Sequence, residues 1–282
     1  MKKGDINVNE IKKLVTAELF DAFKATVAKP KIAFTPALLT RYIDHTLLKP
    51  EASIDDVKKV CEEAKKYRFA SVCVNGSYIK FVADSLAESD VKPCAVVGFP
   101  LGAMMPEAKA GEAFCYANNG AKEIDMVINI GAIKTSDWRL VHNDIEGVVK
   151  AVQGWAIVKV ILETCLLTDE EKVKACAVSK LAGAHFVKTS TGFSKGGATV
   201  EDVRLMRETI GPEMGLKASG GVRTYEDAVK MINAGATRLG TSSGVSIVSE
   251  EQEKTSPYKC VNCGSCDKEC PSDRAAVIKD TY

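Results

Sequence analysis

The segment FVKTSTG, residues 186–192, is a short apolar run that contains one lysine and opens into a Ser/Gly turn. The segment LKASGG, residues 216–221, repeats this arrangement, and Lys188 and Lys217 are separated by 29 positions, about one strand–helix unit. A lysine inside a strand is costly to bury. Two lysines in the same register therefore predict a chemical role at the ends of neighbouring strands.

The alternation of strand and helix extends outward from these two segments. Strands are predicted at 42–45, 70–74, 93–99, 123–129, 157–163, 185–190, 215–219 and 238–241. Helical patterns follow at 54–67, 77–87, 106–119, 138–153, 169–181, 200–210, 225–234 and, more briefly, near Val245. Eight comparable units predict an α/β fold, a (β/α)₈ TIM barrel with its chemistry at the carboxyl ends of the strands. An open doubly wound sheet is the alternative.

Three regions are expected along the chain: an N-terminal helical extension (1–40), the barrel (41–249), and a linker with a cysteine-rich tail (250–282). Charged residues make up 27% of the chain and the net charge is +1, which gives no support for binding to nucleic acid or a membrane. The apolar runs are too short to cross a bilayer. The N-terminus contains no apolar signal core, so a cytoplasmic location is expected.

Polar residues interrupt several of the predicted strands, where barrel interiors are usually apolar. Besides Lys188 and Lys217 they are Asp44, Cys73, Asp125 and Lys159. Lys159 precedes Lys188 by another 29 positions, which predicts three lysines at a similar height. Because ammonium groups repel one another and burial disfavours charge, at least one lysine is expected to be neutral near pH 7.

A neutral lysine attacks carbonyl carbons, and the protonated imine that it forms withdraws electrons from the adjacent carbon. This is the chemistry of a Schiff-base aldolase. Asp44 and Asp125 would balance the remaining positive charge and could exchange protons with a substrate hydroxyl. The alternative is a buried ion network without chemistry, and Cys73 has a simpler interpretation as apolar filling.

Small residues follow the last two predicted strands, in GGVRT at 220–224 and GTSSG at 240–244. Backbone N–H groups and serine hydroxyls in such turns can converge on an anion where a helix begins. Two such turns on neighbouring units indicate a phosphorylated substrate. The alternative is that they are ordinary strand–helix turns.

Five segments taken together resemble the deoxyribose-phosphate aldolase family. They are YIDHTLLKP (42–50), EIDMVINIG (123–131), KVILET (159–164), VKTSTGF (187–193) and KASGGVRT (217–224). They occur in the family's order, and the resemblance covers about residues 40–249. It implies reversible cleavage of the small phosphorylated sugar 2-deoxy-D-ribose 5-phosphate to acetaldehyde and D-glyceraldehyde 3-phosphate, without a cofactor or metal.

The resemblance also implies roles for individual residues and an assembly. Lys188 would form the Schiff base, Lys217 would be the neighbouring charge that favours its neutral amine, and Asp125 would belong to the proton relay. The other implied site residues are Asp44, Cys73 and Lys159 around the reacting centre and Gly192, Gly220, Gly221, Ser242 and Ser243 around the phosphate. A homodimer is the implied assembly.

The tail departs from this family. Cys260, Cys263, Cys266 and Cys270 have the spacing C-x₂-C-x₂-C-x₃-C-P, which resembles half of a two-cluster bacterial ferredoxin. The spacing predicts a [4Fe–4S] cluster, with zinc or a metal-free tail as alternatives. An alternative function for the chain is therefore redox sensing or electron transfer on a barrel carrier, with a redox partner for the tail.

Overall fold

A computed structural model describes residues 39–255 of the protein, with the side chains of residues 39–249. Nearly all of the predicted N-terminal extension and the four tail cysteines lie outside these residues. The strands are β1 (Ile43–Leu47), β2 (Ser71–Val74), β3 (Lys92–Val97), β4 (Glu123–Val127), β5 (Ile157–Ile161), β6 (Phe186–Lys188), β7 (Gly215–Ser219) and β8 (Arg238–Thr241). They pair in parallel in chain order, and β8 pairs with β1 to close the barrel. The predicted TIM barrel is confirmed.

Nine α-helices are described in residues 39–255. They are α1 (Ile54–Tyr67), α2 (Ile79–Leu86), α3 (Pro106–Asn118), α4 (Ile130–Lys134), α5 (Trp138–Ala151), α6 (Asp169–Leu181), α7 (Val200–Ile210), α8 (Tyr225–Asn233) and α9 (Gly244–Thr255). Helices α1, α6 and α8 begin at capping boxes headed by Ser53, Thr168 and Thr224. These caps satisfy N–H groups that the first turn of a helix leaves free.

The predicted boundaries differ from the structure in two informative places. The strand predicted to end at Asn129 ends at Val127, because the Asn129 side chain accepts a hydrogen bond from Ala132 N and caps the unpredicted helix α4. The helix predicted over 77–87 is a 3₁₀ turn (Gly76–Tyr78) followed by α2. Side-chain caps and turns of this kind leave little trace in hydrophobic periodicity.

Alternation along the strands separates an apolar layer from a charged interior. On β4, Ile124 and Met126 belong to the main hydrophobic core, whereas Glu123 and Asp125 lie on the other face. On β5, Val158 and Val160 are likewise in the core, and Lys159 is not. Since successive side chains of a strand point to opposite faces, the charged set faces the barrel axis. Within residues 39–255, no helix is both long enough and apolar enough to span a membrane.

Candidate active site

Lys188 lies at the carboxyl end of β6, where its side chain lines a cavity of about 270 Å³. The cavity is also lined by the small residues of the turns after β6, β7 and β8. Lys188 is only 2% exposed, so nearly all of its side chain is enclosed. A barrel presents its functional groups at this end.

The strand register places two of the three predicted lysines at one level. Lys188 pairs directly with Lys217 across β6 and β7. Lys159 pairs with Phe186, two positions before Lys188, and Ile161 is the residue that pairs with Lys188. The prediction of three lysines at a similar height is therefore right for Lys188 and Lys217 and wrong for Lys159, which lies deeper in the barrel.

Asp125 joins all three lysines at the centre of the barrel. Its Oδ2 accepts hydrogen bonds from Lys188 Nζ at 2.9 Å and Lys217 Nζ at 2.8 Å. Its Oδ1 accepts from Lys159 Nζ at 2.8 Å. Burial would raise the pKa of Asp125, but the three ammonium groups hold it well below its ordinary value. Asp125 is therefore strongly favoured in its ionised form.

Asp44 is the second carboxylate of this ion network, and its two oxygens have different partners. Oδ2 lies 2.5 Å from Lys217 Nζ and 3.3 Å from Lys159 Nζ, whereas Oδ1 accepts from Arg238 Nη1 at 2.6 Å. Against the effect of burial, these cations lower the pKa of Asp44 far below its ordinary value. Asp44 and Asp125 thus both form ion pairs with the predicted lysines.

The carboxylates of Asp125 and Asp44 in turn raise the pKa values of two of the lysines. Burial alone would lower the pKa of Lys159 and of Lys217, but Asp125 and Asp44 raise both well above the ordinary value of lysine. The expectation that at least one of the three lysines is neutral therefore does not apply to these two, and it stays a prediction. Both lysines remain ammonium groups. Lys217 can therefore act as a charged neighbour of Lys188.

The sequence analysis missed two charged members of the network, Glu123 and Arg238. Glu123 Oε2 lies 2.5 Å from Lys159 Nζ, and both Glu123 oxygens accept from Arg238 Nη1 at 3.2 Å. Glu123 is two positions before Asp125 and therefore shares its face of β4. That spacing was an available signal, whereas Arg238 is the first residue of β8 and no local pattern marks it as a partner of Glu123.

The number of carboxylate partners distinguishes the lysines. Among the described residues, Lys159 Nζ contacts three carboxylates and Lys217 Nζ contacts two. Lys188 Nζ contacts one, that of Asp125. Loss of a proton from Lys188 therefore removes the fewest ion pairs, and Lys188 is also the lysine that reaches the cavity. This arrangement favours Lys188 as a nucleophilic amine.

Cys73 lies beside the charged centre rather than on the cavity wall. It is fully buried, its Sγ is 4.0 Å from Asp125 Oδ2, and it pairs with Cys94 across β2 and β3. A hydrogen bond with Cys94 lowers the pKa of Cys73, whereas burial raises the pKa of Cys94 well above its ordinary value. The two thiols and Asp125 could converge on a metal ion. The ammonium groups already bound to Asp125 oppose a cation there.

The predicted phosphate-binding residues meet at one side of the cavity. Gly192, Gly220, Gly221, Ser242 and Ser243 all line it. The turns approach so closely that a Cβ on Gly197 would lie 2.2 Å from the Gly220 carbonyl oxygen. The two serines directly precede α9, whose free N-terminal N–H groups attract anions. Lys49 and Arg223 bring positive charge to the same cavity.

Glu163 is a buried residue at the cavity end of β5 that the sequence analysis did not single out. Its backbone is left-handed (φ 57°), which is unfavourable for a residue with a side chain. Its carboxylate accepts from Thr191 N at 3.4 Å and from the Thr191 hydroxyl, and that hydroxyl accepts from Phe193 N at 3.0 Å. Glu163 therefore anchors the loop that carries Gly192.

Comparison with known proteins identifies relatives of the entire barrel. The profile of the DeoC/LacD family of aldolases matches residues 38–250. The deoxyribose-phosphate aldolase of Streptococcus gordonii is 63% identical over 213 residues, covering 76% of this chain and 96% of that protein. The deoxyribose-phosphate aldolase of Enterococcus faecalis is 62% identical over 211 residues, covering 75% of this chain and 96% of that protein.

The solved structures that superpose on this chain include proteins of the same name as the relatives found by sequence. A structure described as a putative deoxyribose-phosphate aldolase from Coccidioides immitis superposes with a TM-score of 0.80 at 40% identity, covering 89% of this chain and 100% of that one. A deoxyribose phosphate aldolase from Aeropyrum pernix, described as having a unique tetrameric structure, superposes with a TM-score of 0.72 at 37% identity. The aligned region covers 78% of this chain and 93% of the Aeropyrum pernix chain.

Proposed function

The chain belongs to the DeoC/LacD family of aldolases, and we propose that it cleaves 2-deoxy-D-ribose 5-phosphate reversibly to acetaldehyde and D-glyceraldehyde 3-phosphate. The observation that carries this proposal is the position of Lys188. Lys188 lines the cavity, its amine has one carboxylate partner, and it pairs directly with Lys217 across β6 and β7. The phosphate-binding turns lie on the same cavity.

In the proposed reaction, the neutral amine of Lys188 attacks the aldehyde carbon C1 of the open-chain sugar. Loss of water forms a protonated imine, which draws the electrons of the C2–C3 bond toward C1. As the C3 hydroxyl loses its proton, C3 becomes the carbonyl carbon of glyceraldehyde 3-phosphate, and C1 and C2 remain as an enamine. Protonation at C2 and addition of water release acetaldehyde and regenerate the amine.

Lys217 and Asp125 would serve this cycle by charge and by proton transfer. The Lys217 ammonium group disfavours a second positive charge on Lys188 and stays protonated because Asp125 and Asp44 hold it. The Asp125 carboxylate touches both lysines, so a proton that leaves one can reach the other through it. Lys159 would hold Asp125 in place, and Asp44 would hold Lys217 in place, through their ion pairs.

The phosphate would bind where the turns after β6, β7 and β8 meet. Ser242 and Ser243 can donate hydroxyl hydrogen bonds, and the N-terminal amides of α9 add a partial positive charge. Gly220 and Gly221 have φ values of 81° and 86°, which favour glycine. Arg223 and Lys49 would attract the dianion from the cavity rim.

Reduction of the enzyme with borohydride in the presence of acetaldehyde tests the Schiff base. We expect a two-carbon adduct on Lys188, located by peptide mass mapping, and acetaldehyde release from the sugar phosphate in a separate assay. A Lys80→Met variant, altered on the exposed side of α2, is the matched control and should be labelled like the wild type. An adduct on Lys217 or Lys159 alone, or no adduct, would contradict the assignment.

For the tail we propose a [4Fe–4S] cluster held by Cys260, Cys263, Cys266 and Cys270. The proposal is supported by their ferredoxin-like spacing. Protein purified without oxygen should contain iron and acid-labile sulfide in nearly equal amounts, and Cys263→Ser should lower both. Zinc without sulfide, or no metal, would contradict the cluster.

We also propose that the enzyme is a homodimer of the cytoplasm. The dimer is supported by the family resemblance; the Aeropyrum pernix relative is itself described as tetrameric. Cytoplasmic location is supported by the six free cysteines of the described residues, which are typical of a reducing compartment. Light scattering measures the mass of the assembly, and a monomer in dilute solution would contradict the dimer. Cell fractionation tests the location.

A further inference from the structure

Arg238 and Glu123 form the lower end of the ion network and do not line the cavity that Lys188 reaches. One nitrogen of Arg238, Nη1, bridges Asp44 at 2.6 Å and Glu123 at 3.2 Å. The Arg238 side chain is 15% exposed, and its guanidinium lies 5.5 Å from the centre of the Phe186 ring. These contacts hold a charge that stays positive at every working pH.

The charges of the ion network do not cancel when every group is ionised. Four cations are joined to three carboxylates; the cations are Lys159, Lys188, Lys217 and Arg238, and the carboxylates are Asp44, Glu123 and Asp125. If Lys188 is a free amine, the remaining cations and carboxylates balance one to one. Burial of a balanced set is much less costly than burial of an excess charge.

We propose that Arg238 and Glu123 are positioning residues that set the charge of the barrel interior, Arg238 favouring the free amine of Lys188 and Glu123 opposing it. Arg238 adds a positive charge that is not lost by deprotonation. Glu123 adds a negative charge, so the fully ionised network has only one cation more than carboxylates. This inference rests on the proposed Schiff-base function. Neither residue touches the cavity, so each acts through Asp44, Lys159 and Asp125 rather than on the substrate.

Other titratable groups also face Lys188 from the surrounding elements. Besides the members of the ion network, Cys73 and Cys94 approach from β2 and β3, Glu163 follows β5, and Lys49 and Arg223 line the cavity. Lys188 is the network lysine with one carboxylate partner among the described residues, so loss of its proton breaks the fewest ion pairs of the network.

The test compares the pH dependence of Lys188 labelling by acetaldehyde and borohydride in four proteins. They are the wild type, Arg238→Met, Glu123→Gln and the double variant. A unit charge on the order of 10 Å away, at an effective dielectric constant of about 20, shifts a titration by about one pH unit. Labelling is lost at low pH, and we call the pH midpoint of this loss the acid limb. We expect the acid limb to lie about one pH unit higher in Arg238→Met and lower in Glu123→Gln than in the wild type.

The double variant and one further variant, Arg238→Lys, separate charge from packing. The double variant restores the charge balance, so its acid limb should return to that of the wild type even if its melting temperature falls. Arg238→Lys keeps the charge and should keep the wild-type profile. Glu123→Gln nearly preserves shape, so it decides the matter if Arg238→Met fails to fold.

The outcomes are distinguishable from a failure of the proposed function. A wild type that is not labelled at Lys188 overturns the Schiff-base mechanism and this inference with it. A labelled wild type together with unmoved profiles, or with single variants that shift in the same direction, overturns this inference alone. Opposite shifts that cancel in the double variant support it, because a loss of packing would not reverse sign with charge.

Discussion

Two groups of buried lysines lie on opposite sides of the barrel wall. Outside the wall, Lys109 of α3 meets Asp144 of α5 with Nζ 2.5 Å from Oδ2, and both side chains are fully buried. Inside it, the ion network links three lysines and Arg238 to three carboxylates. The outer pair is balanced one to one, whereas the inner network has one cation more than carboxylates when every group is ionised.

The pKa values of the two groups shift in opposite directions. Burial lowers the pKa of Lys109 and raises that of Asp144, so desolvation outweighs their mutual attraction. In the ion network, attraction outweighs burial for Lys217 and Asp125. Burial of a lysine is therefore not a sign of catalysis. An unbalanced set of neighbouring charges and access to a cavity together distinguish the reactive lysine.

The largest expected effect is that of replacing the nucleophile. Lys188→Met removes the amine that forms the imine, so cleavage of the sugar phosphate should fall by about 10⁴-fold or more. Acetaldehyde release measures the rate, and the melting temperature checks that the protein is folded. A residual rate within tenfold of the wild type would place the nucleophile elsewhere.

The outer pair should affect stability instead of chemistry. Lys109→Met leaves the Asp144 carboxyl buried without its partner, and breaking such a pair costs about 3–5 kcal/mol of unfolding free energy. The double variant Lys109→Met/Asp144→Leu should recover most of this loss, as measured by urea unfolding. The rate per folded molecule should stay within about twofold. A specific loss of turnover in the double variant would show that the outer pair is coupled to the site.

The ammonium group of Lys217 should affect the rate of sugar-phosphate cleavage more than it affects substrate binding. Lys217→Met removes the ammonium group beside Lys188 and should lower kcat by about 10²-fold with little change in KM. Steady-state kinetics on the sugar phosphate measure both constants. A raised KM with an unchanged kcat would assign Lys217 to substrate binding.

The smallest expected effect belongs to an exposed pair of the same chemistry. Lys80 and Asp84 lie 2.5 Å apart on α2, with side chains that are 64% and 63% exposed. Since water screens such pairs, Lys80→Met should change the free energy of unfolding by less than about 0.5 kcal/mol. Urea unfolding gives this value, and a loss above 1 kcal/mol would indicate a further contact of Lys80.

Several features of the site were predictable from sequence. Eight alternating strand–helix units predicted the barrel, which the strand order confirms. The repeated strand with a lysine predicted that Lys188 and Lys217 share a register, which their pairing confirms. The alternation of Ile124, Asp125 and Met126 predicted an inward carboxylate, which now lies between both lysines. Such features depend on the two-residue period of a strand, which a local stretch of sequence contains.

Other features depended on the closure of the barrel. Arg238 contacts Asp44 across 194 positions of the chain, because β8 pairs with β1. Lys159 was expected level with Lys188, but the register between β5 and β6 places it two positions lower. Register and closure result from packing of the entire barrel, so no local pattern reveals them.

The amino-acid sequence by itself therefore determined the eight strand–helix units, the inward lysines and the turns suited to phosphate. Only the tertiary structure decided how many carboxylates each lysine meets and which lysine reaches the cavity. The physical reason is range: side-chain direction alternates within one strand, whereas charge balance is a sum over groups that six different strands bring together.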